Sequence, residues 1–244
     1  MRIQNIIQFF LTLYFWSSSI ICLIITYIVC LIISPFVDQK TISRTYEILT
    51  GQSLLYLMTI PGIWTLTVRD KRKDKSWTFK NDKQYIIIAN HMSFIDSLIT
   101  SVIPLKKKFM IGKVFTNFPI FGWLTSKSGF VPAEKGNIEL NKLAVEKAIE
   151  SIKDGSSFEI FVEGQREIKP YTFEKFKTGA YRISHKTGIP ILPLTIKGTD
   201  KAMPIGGWVN FANIEIIINE PFYVENEDYQ SYIEKSKEII SSNL

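Results

Sequence analysis

Cysteine and histidine are both scarce in this chain of 244 residues. The two cysteines, Cys22 and Cys30, lie within one apolar N-terminal stretch, and residues 38–244 contain none. A disulfide framework and a cysteine-based zinc site are therefore excluded for residues 38–244. The sequence also has no P-loop, no glycine-rich dinucleotide fingerprint, no internal repeat and no low-complexity tract.

Charge is missing from the N-terminal stretch, where no charged residue occurs between Arg2 and Asp38. Crossing the hydrocarbon of a bilayer takes about 20 apolar residues, and residues 6–33 exceed that length. A cleaved signal peptide would have an apolar region of about 7 to 15 residues and a small-residue cleavage site. The apolar run is too long for one, so we predict a retained membrane anchor over residues 1–37. Arg2 precedes the anchor and Lys40 and Arg44 follow it, a difference in basic residues that is too small to decide its orientation in the membrane.

The charge that is present is predominantly basic, with a net charge of +6 and a pI of about 9.1. Such a surplus suits anionic lipid, nucleic acid or acidic small substrates. Nucleic acid is disfavoured, because the chain has no basic stripe interleaved with aromatics and no reader motif. Each basic run, 69–75 and 106–108, fits either a solvated loop or a patch facing an anionic membrane.

Strand and helix signals alternate after a basic linker at residues 69–83. Short apolar runs rich in β-branched residues, as at 85–89, are typical of strands buried on both faces. The clearest helix spans 138–154, with Asn137 as its N-cap and Gly155 at its C-terminal end. Other strands are predicted at 109–111, 129–131, 158–162, 191–196 and 214–218, and other helices at 93–103, 114–126, 178–186 and 228–241. This order predicts a single α/β domain with a mainly parallel sheet flanked by helices, preceded by an N-terminal membrane helix.

Polar residues cluster where three of the predicted strands end. The clusters are Asn90 to Asp96, Glu134 to Gly136, and Glu163 to Arg166. Ligands of α/β sheets bind beyond the carboxyl ends of the strands. The three clusters are therefore predicted to form one site.

His91 is the candidate general base, since imidazole has an unperturbed pKa of about 6.5. Asp96 follows five residues later, a spacing that points the two side chains apart on a regular helix. They meet only if His91 precedes the helix and the chain curls back, and Asp96 would then orient the imidazole. The alternative is a capping histidine and an aspartate favoured by the helix dipole. The other histidine, His185, is predicted to be a surface or half-buried helix residue.

The segment containing Asn90, His91 and Asp96 resembles the first motif of the glycerolipid acyltransferase family, in particular the bacterial 1-acyl-sn-glycerol-3-phosphate acyltransferases. The other family motifs follow in order. Residues 129–135 (GFVPAEK) resemble the second motif, 161–166 (FVEGQR) the third, 176–180 (FKTGA) the sequence that trails it, and 189–194 (IPILPL) the fourth. The resemblance covers roughly residues 50–220.

The resemblance implies a reaction and its reactants. His91 would take the proton of an acceptor hydroxyl, Asp96 would orient His91, and the alkoxide would attack an acyl thioester directly. Neither a metal nor a cofactor is implied, because acyl-CoA or acyl carrier protein serves as the acyl-donor substrate. The implied partners are that donor and membrane lipids, without nucleic acid.

The resemblance also assigns acceptor binding, with the phosphate bound by Lys135 and Arg166. The implied substrate-binding residues are Asn90, Lys135, Glu163, Gly164 and Arg166. Three residues depart from the family pattern: Lys135 stands for arginine, Gln165 for threonine or serine, and Val162 for proline. Lysine keeps the charge but loses the bidentate fork, so these departures leave the identity of the acceptor open.

The expected function is acylation of lysophosphatidic acid to phosphatidic acid in phospholipid synthesis. Three alternatives remain: acylation of another lysophospholipid or glycerolipid alcohol, a thioester hydrolase, and a non-catalytic lipid-binding membrane protein of the same fold. We divide the chain into an anchor (1–37), a membrane-surface helix with a basic linker (38–83) and a catalytic acyltransferase domain (84–244). The expected location is the bacterial inner membrane, with the catalytic domain on its cytoplasmic side.

Four aromatic residues are grouped in the helical segment after the second predicted strand: Phe115, Phe118, Phe121 and Trp123. Such a group is usually part of a core. An acyl-chain tunnel or a face that dips into the membrane is the alternative interpretation.

Overall fold

The secondary structure is taken from a computed structural model that describes residues 3–73, 83–166, 171–173 and 175–244. The strands are β1 (Trp64–Asp70), β2 (Ile86–Ala89), β3 (Lys107–Gly112), β4 (Val131–Ala133), β5 (Ser157–Phe161), β6 (Ile191–Lys197) and β7 (Ala212–Ile218). The α-helices are α1 (Ile3–Ile33), α2 (Gln39–Tyr46), α3 (Ser53–Thr59), α4 (Asp96–Ile99), α5 (Pro119–Lys127), α6 (Ile138–Ser151), α7 (Gly179–Thr187), α8 (Thr199–Ala202) and α9 (Tyr229–Ser241). A π-helix (Glu47–Gln52) joins α2 to α3, and 3-10 segments span Thr100–Val102, Lys113–Asn117 and Ile152–Asp154.

The seven strands form one sheet in the order β1-β7-β6-β2-β5-β3-β4. The paired strands are parallel except for β6 and β7, which are antiparallel. The predicted α/β domain with a mainly parallel sheet is therefore confirmed, as is the long apolar helix at the N-terminus. Because β7 runs against β6, the first residues of β7 and β1 lie at the same sheet edge as the last residues of β2, β5 and β6.

The sheet is buried on both faces, which explains the continuous apolar runs in its central strands. Ile87 and Ala89 pack in one core with residues of α1, α3 and α4, whereas Ile86 and Ile88 pack in a second core with residues of α6, α7 and α9. Successive side chains of a strand point to opposite faces. The sheet therefore separates an α1 side of the molecule from an α6 side.

Several predicted elements differ from the structure. The region 38–83 was predicted to hold a membrane-surface helix and a basic linker, but its last helix, α3, ends at Thr59 and residues 64–70 form β1. The Pro61-Gly62 turn explains the break, since Gly62 has a φ of +75°, which favours glycine. The predicted helix at 93–103 is reduced to α4 and a 3-10 turn, because residues 91–95 form the turn that precedes it. Most of the predicted basic linker, residues 74–82, lies outside the described residues.

The N-terminal helix α1 packs along the domain. Its buried residues recur every three or four positions and form one stripe: Phe15, Ser18, Cys22, Thr26 and Cys30. Phe15 contacts Trp64 with ring centroids 5.8 Å apart, and near the other end Cys30 packs with Leu124. The remaining face exposes large apolar side chains, among them Phe10 at 60% and Ile32 at 64%. At about 46 Å, α1 is long and apolar enough to cross a bilayer, yet its contacts with the domain extend over most of its length.

Two of the three lysines in the run 106–108 are buried, so neither a solvated loop nor a membrane-facing patch describes them. Lys107 is 0% exposed and Lys108 is 1% exposed, whereas Lys106 is exposed. As consecutive residues of β3, they point to opposite faces. Lys107 Nζ lies 3.0 Å from Glu47 Oε1 and 3.6 Å from Glu159 Oε2. Lys108 Nζ lies 2.8 Å from Asp154 Oδ2.

Glu159 occupies the same buried cluster as Lys107. Its Oε1 accepts a hydrogen bond from the Thr100 hydroxyl at 2.7 Å, while Lys107 Nζ donates to the Thr100 carbonyl at 2.5 Å. Burial raises the pKa of Glu159 to about 7, against the opposing effect of the Lys107 charge. Thr100 directly follows α4, so this cluster supports the end of the helix that begins with Asp96.

Candidate active site

His91 and Asp96 are in direct contact. His91 Nδ1 lies 2.8 Å from Asp96 Oδ2, and the Asp96 side chain is fully buried while His91 is one-fifth exposed. The same Asp96 oxygen accepts the backbone N–H groups of Met92 at 2.7 Å and Ser93 at 2.8 Å. Asp96 therefore holds both the imidazole and the turn that carries it, as the strand-end arrangement predicts.

The histidine ring has a defined orientation. With Nδ1–H donated to the carboxylate, the neutral ring presents the lone pair of Nε2 away from Asp96. Among the described residues, Nε2 has no hydrogen-bond partner. The ring stacks on Phe161, with centroids 4.1 Å apart and planes 15° apart. Phe161 was part of the third motif in the sequence, but its contact with His91 was not predicted, because only the pairing of β2 with β5 brings the two together.

The backbone on either side of His91 is fixed by two further polar residues. The Asn90 amide bonds with the backbone of Ile196 in both directions, donating to its carbonyl and accepting its N–H at 2.8 Å each. Glu163 Oε2 accepts the backbone N–H of His91 at 2.6 Å. Both side chains are buried, Asn90 at 0% and Glu163 at 3% exposure. They lie behind the imidazole and connect β2 to β6 and β5.

The remaining predicted residues lie farther from His91. Gly164 has a φ of +72° in the turn after β5, where its N–H reaches the Phe161 carbonyl at 3.0 Å. Arg166 is exposed beyond that turn. Lys135 is exposed at the start of α6, where it lines an open cleft with Asn137 and other residues. It follows β4, three strands from β2, which is about 14 Å at the usual strand spacing.

The aromatic segment after β3 lies at the surface beside the site, so the core interpretation was wrong for part of it. Phe118 is 56% exposed. Phe115 lies 6.4 Å from Phe94, which follows His91 by three residues, and Phe94 in turn lies 5.7 Å from Trp16 of α1. Apolar side chains of the site and of α1 thus form one continuous surface.

His185 is half-buried on α7, as predicted, with Nδ1 3.3 Å from the carbonyl oxygen of Val224. It lies apart from the residues around His91.

Comparison with known proteins identifies the family. The family profile described as Acyltransferase matches residues 67–197. The chain belongs to this acyltransferase family. The matched range begins in β1 and ends with β6, and it includes the pair formed by His91 and Asp96.

Individual acyltransferases show the same relationship. The chain is 33% identical over 169 residues to the 1-acyl-sn-glycerol-3-phosphate acyltransferase LPAT1, chloroplastic, of Arabidopsis thaliana, covering 67% of this chain and 46% of that protein. It is 31% identical over 166 residues to BAT2, chloroplastic, of Brassica napus, which carries the same enzyme name, covering 67% and 48%. The chain spans about half the length of the curated relatives it matches.

A solved structure shows the same fold. The chain superposes on PlsC, the 1-acyl-sn-glycerophosphate acyltransferase of Thermotoga maritima, with a TM-score of 0.79 and 21% identity. The match covers 99% of this chain and 96% of that one. The helix α1 and the sheet therefore belong to an architecture that another acyltransferase shares.

Proposed function

We propose that this protein transfers a fatty acyl group from an acyl thioester to the free hydroxyl of lysophosphatidic acid, which gives phosphatidic acid. The observation that carries the proposal is the 2.8 Å contact between His91 Nδ1 and buried Asp96 Oδ2. It leaves Nε2 as the basic nitrogen. Two relatives that are 1-acyl-sn-glycerol-3-phosphate acyltransferases support the choice of acceptor.

The reaction follows from the orientation of the imidazole. Nε2 removes the proton of the acceptor hydroxyl as its oxygen attacks the thioester carbonyl, and the C–O bond forms. The tetrahedral intermediate then collapses, the C–S bond breaks, and the imidazolium returns the proton to the departing thiolate. Asp96 stabilises the imidazolium, as a carboxylate does in a serine-hydrolase triad. A positioned base of this kind contributes about 10²- to 10⁴-fold in rate.

Asn90 and Glu163 act, on this proposal, through His91. Both are buried; Asn90 bonds with the backbone of Ile196, and Glu163 accepts the backbone N–H of His91. Through these bonds they keep the strand end and the histidine backbone in place.

Lys135 and Arg166 remain the proposed ligands of the acceptor phosphate. Both are exposed cations beyond the carboxyl ends of strands, where phosphate can form charge-assisted hydrogen bonds. Gly164 allows the left-handed turn that carries the chain from Glu163 toward Arg166.

The membrane is the proposed source of the acceptor. Phe94, an exposed apolar residue at the active-site edge, adjoins the exposed Trp16 of α1, and Phe118 nearby is also exposed. Because α1 packs along the domain, the geometry favours a helix that lies at the bilayer surface and brings this edge to the lipid. The cytoplasmic side of a bacterial inner membrane remains a prediction, as does the division of the chain at residues 37 and 83.

A transfer assay on membranes carrying the protein tests the function, with labelled acyl thioester and lysophosphatidic acid. We expect labelled phosphatidic acid, and we expect His91→Ala to reduce its formation about 10²- to 10⁴-fold. His185→Ala is the matched control and should retain full activity. Label in free fatty acid instead of diacyl lipid would identify a hydrolase and contradict the proposal.

Another lysophospholipid is the second candidate acceptor, because Lys135 and Gln165 depart from the family pattern. A panel of lysolipids with different headgroups distinguishes the two. A lower KM for another lysolipid than for lysophosphatidic acid would favour the second candidate. Absence of transfer to every acceptor would favour a non-catalytic lipid-binding protein.

A further inference from the structure

A cavity of about 530 Å³ lies at the active-site edge, apart from the cleft that contains Lys135. It is formed where the end of β6 meets the first residues of β7 and the middle of β1. Its lining includes Arg69, Tyr171, Lys197, Gly198, Lys201 and Glu215. The mechanism proposed above assigns no role to any of them.

The lining of the cavity is cationic. Arg69, Lys197 and Lys201 face a single lining carboxylate, Glu215, so these four residues carry a formal charge of +2. Glu215 Oε1 lies 2.5 Å from Arg69 Nε, and its Oε2 lies 3.4 Å from Lys197 Nζ. Within the described part of the chain, the Lys201 ammonium has no ion-pair partner. Positive charge therefore remains for an anionic ligand.

The cavity adjoins the pair formed by His91 and Asp96. Lys197 follows Ile196, whose backbone holds Asn90, and Asn90 directly precedes His91. On the opposite wall, the Tyr171 hydroxyl lies 3.2 Å from Asp200 Oδ1. The pKa of Tyr171 is raised by burial first and by Asp200 next, and the charge of Asp96 adds to the rise.

The backbone at the cavity is closely packed. Gly198 has a φ of +83°, and a Cβ at this position would lie 2.1 Å from the carbonyl oxygen of Asn213. Only glycine permits β6 to turn here against the start of β7. The backbone that carries Lys197 and Lys201 is thus fixed by the fold.

The cavity and the Lys135 cleft are separate sites. In the order of the sheet, β1, β7 and β6 lie on one side of β2, whereas β5, β3 and β4 lie on the other. The cavity and Lys135 therefore lie on opposite sides of the strand that ends just before His91. Both are on the α6 side of the sheet, since Thr67 and Arg69 point away from the α1-side core and the cleft is lined by the start of α6.

We infer that this cavity binds phosphate of the acyl donor, at the phosphorylated end of the pantetheine arm that CoA and acyl carrier protein share. The inference rests on the proposed acyl transfer. That reaction brings two phosphate-bearing substrates to one histidine, and the sheet presents a cationic group on each side of it. Lys135 and Arg166, beyond β4 and β5, are the proposed ligands of the acceptor phosphate, so the cavity on the β6 side of His91 remains for the donor. Lysine and arginine side chains there would form charge-assisted hydrogen bonds with the phosphate.

Steady-state kinetics of Lys201→Met and Arg69→Gln, with lysolipid at saturation, test the inference. Three donors with one acyl chain are compared: acyl-CoA, acyl carrier protein and acyl-pantetheine, which lacks phosphate. We expect each variant to raise the KM of a phosphate-bearing donor about 10-fold or more, with kcat unchanged. The KM of acyl-pantetheine should not change. Lys147→Met, a change of an exposed lysine on α6, is the matched control and should behave as wild type.

The donor arms separate the two sources of phosphate. If the variants raise the KM of both acyl-CoA and acyl carrier protein, the phosphate that the two donors share binds in the cavity. If only the KM of acyl-CoA rises, the additional CoA phosphates bind there. Unchanged KM values for both natural donors would overturn the inference, as would an equal rise for acyl-pantetheine. A rise in the KM of the lysolipid, measured in a second series with the donor at saturation, would instead identify a headgroup site and also overturn the inference. Failure of the proposed function is distinct, because wild type would then form no acylated lipid from any donor.

Discussion

The buried ammonium of Lys107 lies 3.0 Å from Glu47 Oε1 and joins two parts of the chain that are 60 positions apart in sequence. Glu47 belongs to the π-helix between α2 and α3, and Lys107 begins β3. Glu159 and the Thr100 carbonyl complete the surroundings of the ammonium. This contact ties the helices packed beside α1 to the sheet and to the end of α4.

Replacing Lys107 should therefore destabilise the fold. Lys107→Met leaves the carboxylates of Glu47 and Glu159 buried without their shared cation, and breaking a buried ion pair costs about 3 to 5 kcal/mol. Lys106→Met, at the exposed neighbour, should change the free energy of unfolding by less than about 0.5 kcal/mol. Denaturant unfolding of both variants in detergent micelles measures the difference. Equal stability of the two variants would contradict the buried pairing.

The stability of the protein should depend on pH through Glu159. Its pKa is about 7 in the folded state, above the ordinary value of 4.5, so the folded state binds the proton more tightly than the unfolded state. The contribution of Glu159 to stability is therefore greatest below pH 4.5 and falls as the pH rises toward 7. Above that pH the contribution no longer changes. Glu159→Gln cannot lose a proton, so it should remove this part of the fall. Unfolding midpoints of wild type and Glu159→Gln, measured from pH 4.5 to 8, test this prediction. If the midpoints of the two proteins change in parallel with pH, Glu159 is not the source of the pH dependence.

Asp96→Asn should reduce acyl transfer about 10²- to 10⁴-fold while the fold is retained. An amide oxygen can still accept the N–H groups of Met92 and Ser93, but it cannot stabilise an imidazolium as a carboxylate does. Asp228→Asn is the matched control, because asparagine is an equally good N-cap for α9. The measured quantity is kcat on membranes, with circular dichroism as the check on folding. An Asp96→Asn variant with wild-type kcat would exclude the proposed role.

The loop before β7 should contact the membrane beside α1. Ile205 and Trp208 are 52% and 48% exposed. The same loop is tied to α1, since Gln8 Nε2 donates to Asn210 Oδ1 at 2.6 Å. Burying a large apolar side chain contributes about 1.5 to 3 kcal/mol, so Trp208→Ser should weaken vesicle binding about 10-fold.

Sedimentation with anionic phospholipid vesicles measures this binding. Tyr223→Ser removes an aromatic side chain of 61% exposure from outside this loop and should bind as wild type does. If Trp208→Ser and Tyr223→Ser lower the affinity equally, the loop has no special contact with lipid.

The features that depend on neighbouring residues could be predicted from the sequence. The continuous β-branched run at β2 and the Asn137 cap of α6 were predicted, and Asn137 Oδ1 accepts the Leu140 N–H at 3.0 Å. The turn between His91 and Asp96 was also predicted, because His91 at a strand end leaves only one way for the two side chains to meet. In these cases the deciding interaction lies within about five residues.

Which charges are buried and which strands are neighbours could not be predicted from the sequence. Lys107 is one of a basic run in the sequence, and only the fold brings Glu47 and Glu159 to it. The sequence predicted no strand at β1, which forms by pairing with β7, more than 140 residues later. The cavity between Arg69, Tyr171 and Lys201 likewise draws on three distant segments. A local sequence pattern shows the periodicity of one helix or strand. The pairing of a buried charge and the order of the strands depend instead on residues that are distant in sequence and meet only in the folded chain.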